Sequence, residues 1–258
     1  AVSPGASLTW MQMLVLTLSV LVSSASAGAF NQYYEHDLDP LMARTRTRPF
    51  VTGQIKHGPI WLVVIAALTV LSVGAAWIAL NAWSALFVFL GAFFYAIVYT
   101  VWLKRRTWLN IVFGGLAGSW AVLAGAAAAD PHLGAVPLAL AFVLFLWTPP
   151  HFWSLAIAFR EDYKAAGVPM LPVVVGDQRA AQTIFYSTLA LVAASFLPLA
   201  FGLGAIYAIG AAAGGFLFIQ KAWRLAQEPT RKTAMACFFS SLVQLTVVLL
   251  AAILDARL

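Results

Sequence analysis

The sequence predicts an all-α fold, a polytopic transmembrane helical bundle with eight spans. Three observations carry this. Hydrophobic residues make up 62% of the 258 positions and charged residues only 9%, against about 25% charged in a soluble domain. Eight stretches contain no Asp, Glu, Lys or Arg and approach the length of roughly 20 residues that crosses a bilayer. Finally, 14 of the 15 Lys and Arg residues fall on alternate connections between those stretches. Mean hydropathy is +0.89. Too few polar side chains remain to cover a water-facing surface. The composition excludes disorder as well, and the single cysteine, Cys237, cannot form an internal disulfide.

The predicted spans are 8–30, 59–80, 82–103, 109–129, 134–158, 182–203, 204–220 and 234–254. The seventh is short. It reaches membrane length if it extends to residue 225, with Lys221 and Arg224 snorkelling to the interface. A tight turn at 203–204 is then required, and Gly202 and Gly204 permit one. Together, residues 1–258 form a single transmembrane domain.

Charge sets the expected orientation. Arg44, Arg46, Arg48 and Lys56 lie on 31–58, and Lys104, Arg105 and Arg106 on 104–108. Arg160, Lys164 and Arg179 lie on 159–181, and Lys221, Arg224, Arg231 and Lys232 on 221–233. The remaining connections carry none, and the tail carries Arg257. This positive-inside pattern places the four basic loops in the cytoplasm or its equivalent and both termini outside. The net charge of +6 is therefore mostly topology, and nucleic-acid binding loses its support. No signal or transit peptide is visible.

The carboxylates keep to the same side. Glu35, Asp37, Asp39, Glu161, Asp162, Asp177 and Glu228 share the basic loops, leaving only Asp130 and Asp255 elsewhere. The outer connections are too short to fold. Chemistry is expected at the cytoplasmic helix ends.

The first basic loop is the richest. If the first span continues helically, Asn31, Glu35 and Asp39 recur every four residues and form one stripe. Oxygen ligands on one face suit Mg²⁺, which is usually held by one or two carboxylates plus substrate phosphates. Arg44, Arg46 and Arg48 follow and can pair with phosphate oxygens. A loop whose charges merely meet water and headgroups fits the periodicity equally well. Pro40 offers another alternative, with Asp39 as the N-cap of a new helix.

The second loop sets Lys104, Arg105 and Arg106 in a row between Tyr99 and Asn110. Read by itself, it is a turn whose cations serve orientation alone. The third begins inside a span, at Trp147-Thr148-Pro149-Pro150-His151-Phe152-Trp153. Two consecutive prolines are expected to break or kink that helix. His151 beside such a break is either a ligand or a hydrogen-bonded helix residue. Glu161, Asp162 and Lys164 form either a second metal or diphosphate site or the cap of an amphipathic stretch.

These three segments, in this order, resemble the UbiA superfamily of intramembrane prenyltransferases. Asn31-Gln-Tyr-Tyr-Glu35…Asp39…Met42-x-Arg44-Thr45…Arg48-Pro49 is similar to its first acidic motif. Tyr99…Leu103-Lys104-Arg105-x-Thr107…Asn110-Ile-Val-x-Gly114-Gly115…Gly118 is similar to its second conserved stretch. The Trp147–Trp153 run and Asp162-Tyr163-x-x-Ala166-Gly167-Val168-Pro169-Met170-Leu171-Pro172 resemble the haem branch, the protoheme IX farnesyltransferases or haem O synthases. Two departures stand out. Glu35 occupies a position where the superfamily usually has Asp, and the second Asp-rich motif is reduced to Asp162. The superfamily has nine helices, so the resemblance also implies that its first helix is absent here.

The resemblance implies transfer of farnesyl from farnesyl diphosphate to a vinyl group of haem B, with addition of water. It implies Asn31, Glu35, Asp39 and Asp162 as Mg²⁺–diphosphate residues. Arg44, Arg48, Lys104 and Arg105 would meet diphosphate or haem propionates. Tyr99, Asn110, Tyr163 and Lys164 would line the substrate site, and His151 would ligate or orient the porphyrin. It further implies a bacterial inner (cytoplasmic) membrane, an active site on the cytoplasmic side, and a haem A synthase or terminal oxidase downstream. The rival within the superfamily is an enzyme acting on a quinone precursor or another aromatic acceptor. A transporter would show two related halves, and none are visible. A structural subunit gives no reason for acidic clusters beneath proline-bearing helices.

Overall fold

The computed structural model describes residues 8–256; Arg257 lies outside them. All eight expected spans are long apolar helices. We number them α1 (Trp10–Tyr34), α2 (Ile60–Ala79), α3 (Ala82–Leu103), α4 (Asn110–Ala129), α5 (Ala135–Ala158), α6 (Asp177–Phe201), α7 (Ala205–Gln227) and α8 (Arg231–Asp255). No strand occurs among the described residues.

Two expected boundaries move outward for one reason. Helix α6 begins at Asp177 instead of 182, and α8 at Arg231 instead of 234. A charge ends an apolar run but not a hydrogen-bonded helix, and polar end turns reach the headgroup layer. The seventh span does extend past 225, to Gln227. The turn before it falls at 202–204, where Gly202 has φ +110°, a left-handed value that glycine adopts without penalty.

Helix starts are set by short polar side chains. Thr9 and Gln12 form a reciprocal capping box on α1, as Thr230 and Thr233 do on α8. The Asn81 side chain accepts from the Ser84 N–H at the start of α3. Helix α7 is capped from its neighbour: Asp255, at the end of α8, accepts from the N–H groups of Gly204, Ile206 and Tyr207. Its carboxylate thus sits on the positive end of the α7 dipole.

The described chain forms two compact units. Residues 8–131 with 161–169 make one, in which α1 packs on α2, α2 on α3 and α3 on α4. Residues 132–160 with 170–256 make the other, in which α7 packs on α8 and α5 packs on both α6 and α8. In both, buried helix faces are rich in small residues. Ser19, Ser23, Ser26 and Ala27 line the inner face of α1, while Trp10, Leu14, Leu18 and Leu21 are exposed. Small residues at the contacts and large apolar ones facing outward are the arrangement that helices use in lipid.

The two prolines do not break α5. It runs without interruption from Ala135 to Ala158 with Pro149 and Pro150 inside it. Hydroxyls add bonds to carbonyls on either side of them. Thr148 Oγ1 donates to the Leu144 carbonyl at 3.0 Å, and Ser154 Oγ to the Pro150 carbonyl at 2.6 Å. Pro149 and Pro150 lack the N–H groups that would bond the Phe145 and Leu146 carbonyls, a loss that membrane helices tolerate.

Candidate active site

In the first unit, the C-terminal end of α1 meets the α3–α4 connection and the loop that follows α1. Asn31 lies in the last turns of α1, and that helix ends at Tyr34 with Glu35 as its C-cap. The stripe predicted on one continuous helix is therefore corrected. After Glu35 the chain tightens, because the Leu38 and Asp39 N–H groups both bond the Glu35 carbonyl. A single 3₁₀ turn, Asp39–Leu41, follows. Asp39 caps nothing with its side chain, since Leu38 is the N-cap; that alternative is corrected too. Pro40, which has no N–H to bond the His36 carbonyl, interrupts the α ladder at this point. The three predicted residues nonetheless converge, and each is at most 2% exposed.

Two cations hold them together. Arg48 Nη1 donates to both Asp39 carboxylate oxygens, at 2.8 and 2.9 Å, and to Asn31 Oδ1 at 3.3 Å. Lys104 Nζ donates to Glu35 Oε2 at 2.5 Å. The reading of 104–106 as cations for orientation alone is thus corrected. Lys104 is buried, and Arg105 reaches Asp37 through two hydrogen bonds of 2.8 and 2.9 Å. Arg106 is exposed. Burial pushes the Lys104 ammonium pKa below its ordinary value, against the opposing pull of Glu35. The hydrogen bond from Arg105 holds Asp37 below the usual carboxylate value.

The backbone around Lys104 is specialised. Residues Phe94–Leu103 are π-helical, a widened turn found often at functional sites. The Lys104 N–H bonds the Tyr99 carbonyl, five residues back, and Thr100 Oγ1 bonds that of Tyr95. The Thr100 oxygen then accepts from Asn31 Nδ2 at 3.1 Å. Tyr99 stacks on Tyr95, with Lys104 Nζ 5.7 Å from its ring centroid. Asn110 is fully buried and donates to the carbonyls of Thr107 and Lys104.

The 161–169 segment closes one side. Asp162 Oδ2 accepts from the Ala43 N–H at 3.0 Å. Tyr163 is buried beside Arg44, and burial raises its phenol pKa while the guanidinium opposes the rise. Glu161 and Lys164 are exposed, so the second cluster reduces to Asp162. Among the described residues, no three His, Cys, Asp or Glu side chains converge as a metal cage.

Two acceptors in this cluster are buried without a hydrogen-bond partner: Glu35 Oε1 and Asn110 Oδ1. An unmatched carboxylate oxygen away from water is costly. Beside Asp39 and Asn31 it fits a hard cation that takes the rest of its ligands from phosphate and water. On the same face of α1 as Asn31 a cavity of about 230 Å³ runs along Ala27, Ser23 and Val20, walled by Phe87, Gly91 and Tyr95.

His151 belongs to the second unit. It is buried in α5, sandwiched between Trp147 and Phe238 at centroid distances of 4.1 and 4.4 Å, and bonded to Ser241. Thr45, whose hydroxyl donates to the Asp39 carbonyl at 3.0 Å, and Thr100 were not foreseen as site residues.

The family model described as UbiA prenyltransferase matches residues 1–243. Protoheme IX farnesyltransferase 2 of Paramagnetospirillum magneticum is 55% identical over 99% of this chain and 89% of its own length. Protoheme IX farnesyltransferase 1 of Cenarchaeum symbiosum is 43% identical over 91% and 79%. A digeranylgeranylglyceryl phosphate synthase structure superposes with TM-score 0.79 at 22% identity, covering 98% of this chain and 88% of the other. A UbiA homologue from Archaeoglobus fulgidus bound to DMAPP and Mg²⁺ superposes with TM-score 0.70 at 18% identity, covering 96% and 90%. The buried acid–base cluster at the end of α1 thus sits in a chain that belongs to the UbiA prenyltransferase family, and the protein is a multi-pass membrane enzyme that transfers a prenyl group.

Proposed function

We propose that the enzyme transfers farnesyl from farnesyl diphosphate to a vinyl group of haem B and adds water, yielding haem O. The observation that carries the donor half is the buried Glu35 Oε1, unpartnered beside Asp39, Asn31, Arg48 and Lys104. Relatives named protoheme IX farnesyltransferase, up to 55% identical, support the acceptor. Asn31, Glu35 and Asp39 would hold Mg²⁺ with the diphosphate, with Asp162 on the facing segment. Mg²⁺, when bound, supplies positive charge against the leaving diphosphate.

The chain's own residues do the rest. Lys104, Arg48, Arg44 and Arg105 bind the diphosphate oxygens and stabilise charge as the C–O bond breaks. Diphosphate leaves with the bonding electrons, and an allylic cation remains. Tyr95 and Tyr99 present ring faces to it. The cavity along Ala27, Ser23 and Val20 accommodates the apolar tail and excludes water. The vinyl group attacks and forms the new C–C bond. Water then captures the resulting porphyrin-side cation and loses a proton, giving the hydroxyethylfarnesyl substituent. Asn110 fixes the Lys104 backbone, while Tyr163 and Lys164 lie on the closing segment. The site faces the cytoplasm by the charge pattern, in a bacterial inner membrane. Haem O would pass to a haem A synthase or terminal oxidase.

Glu35→Gln and Asp39→Asn should each reduce transfer by a hundredfold or more, by loss of electrostatic stabilisation, while the protein still inserts and purifies as a folded species. Mass detection of haem O with parent-like turnover in both variants would overturn the assignment.

A further inference from the structure

We propose that the cavity between the joined ends of α7 and α8 binds the phosphate headgroup of an anionic phospholipid. The site lies wholly in the second unit and does not depend on the donor or the acceptor read above.

The four basic connections differ in how they use their charges. In three of them a carboxylate of the protein holds a cation: Asp39 holds Arg48, Glu35 holds Lys104, Asp37 holds Arg105 and Asp177 holds Arg160. The connection from α7 to α8 carries four cations and, among the described residues, no ion pair. Glu228 stands four residues after Arg224, a spacing that pairs charges along a helix. However, α7 ends at Gln227, and Glu228 has φ −137° and ψ 88°, off the helical path. Arg231 lies over the Phe159 ring, 5.3 Å from its centroid. Orientation in the membrane asks only for positive charge on a connection. It gives no reason for the other three cations to gather around one cavity.

Lys221, Arg224 and Lys232 line that cavity, whose volume is about 520 Å³, with one carboxylate, Glu228, on its wall. Three cations against one carboxylate leave an excess of positive charge that an anion can neutralise. A guanidinium grips phosphate oxygens through paired N–H groups, and ammonium groups add point charge. Depth identifies the source of the phosphate. The cavity lies where two apolar helices of membrane-crossing length are joined by residues 228–230. The ends of such helices reach the headgroup layer. Trp223 shares the wall, is 51% exposed, and lies 5.2 Å from the Phe185 ring of α6. An indole packed on a neighbouring helix and open on its other side settles at the membrane–water interface. Basic pockets between membrane helices take up phospholipid headgroups in this setting.

The test is native mass spectrometry of the full chain released from nonionic detergent. Phosphatidylglycerol is the probe, and phosphatidylcholine with the same acyl chains is the comparator. One phosphatidylglycerol should be retained more tightly than phosphatidylcholine, and less tightly as ionic strength rises. Each cation beside an anionic headgroup contributes roughly fivefold in affinity. The combined Lys221→Gln, Arg224→Gln and Lys232→Gln variant should therefore bind phosphatidylglycerol more weakly by on the order of a hundredfold. Glu228→Gln removes the opposing charge and should tighten binding roughly fivefold, a gain that misfolding cannot imitate. Lys221→Arg with Lys232→Arg keeps the charge and should bind as the parent does; loss of binding there overturns the electrostatic basis. Equal retention of the two lipids, or unchanged phosphatidylglycerol affinity in both charge-altered variants, overturns the proposal. Glycerol 1-phosphate tests the other source of the same chemistry. Binding as tight as that of phosphatidylglycerol, lost in the triple variant, overturns the lipid assignment in favour of a soluble phosphate.

Discussion

Lys104 is more deeply buried than Arg48, the other cation that holds the cluster. Its ammonium is buried with the Glu35 carboxylate, and removing one partner strands the other in low dielectric. Lys104→Met should therefore cost about 3–5 kcal/mol, seen as a large fall in Tm in detergent. Arg105→Met removes an exposed pair of similar length and should cost at most about 1 kcal/mol. Equal falls would contradict the burial argument. The Asp37–Arg105 pair also sets a pH dependence. Arg105 lowers the Asp37 pKa below 3.8. A carboxyl depressed on folding stabilises the fold above its unfolded value, and that gain fades as pH falls through the lower folded value. The Tm difference between parent and Arg105→Gln should thus be present at pH 7 and shrink below about pH 3.8. Asn31, Glu35 and Asp39 were legible because polar residues at four-residue spacing stand out against an apolar helix. Lys104 was legible only through the family resemblance, because a cation between two spans is already explained by orientation.

Spacing alone could not show how the elements end. Counting in fours placed the three site residues on one helical face. The chain achieves the same convergence by stopping α1 at Tyr34 and turning tightly through Glu35 to Asp39. The π-helical end of α3 was equally hidden, since a shift from four to five residues leaves the apolar pattern nearly unchanged. That widened turn brings Thr100 under Asn31, and α4 locks it from outside. A methyl group on Gly114 would lie 2.8 Å from Tyr99 Cδ2, closer than two carbons can approach. Gly114→Ala should push the Tyr99 ring off Tyr95 and lower transfer about tenfold or more, with a smaller effect on Tm than Lys104→Met. Full activity in Gly114→Ala would show that the Tyr95–Tyr99 stack is dispensable. The prolines of α5 carry the opposite lesson. Their sequence reads as a break, yet the helix runs on from Ala135 to Ala158 with both prolines inside it.

Across the whole molecule, span number and order were the most legible features, because a bilayer leaves a chain few ways to bury its backbone. Motif order across three loops also identified the family, and 55% identity to a protoheme IX farnesyltransferase agrees with it. The pairing of acids with cations from distant loops was not legible, since it depends on how helix ends meet. Those pairings underlie the central proposal: a buried acid–base cluster that would take a metal and a diphosphate, in a prenyltransferase whose proposed acceptor is haem. The most direct measurement is product formation by the purified protein in detergent. Haem B, farnesyl diphosphate and Mg²⁺ are supplied, and the pigment is analysed by mass. The account predicts haem O, abolished by chelator and by Glu35→Gln. Prenylation of a quinone precursor with no haem product, or haem O formed equally without divalent metal, would contradict it.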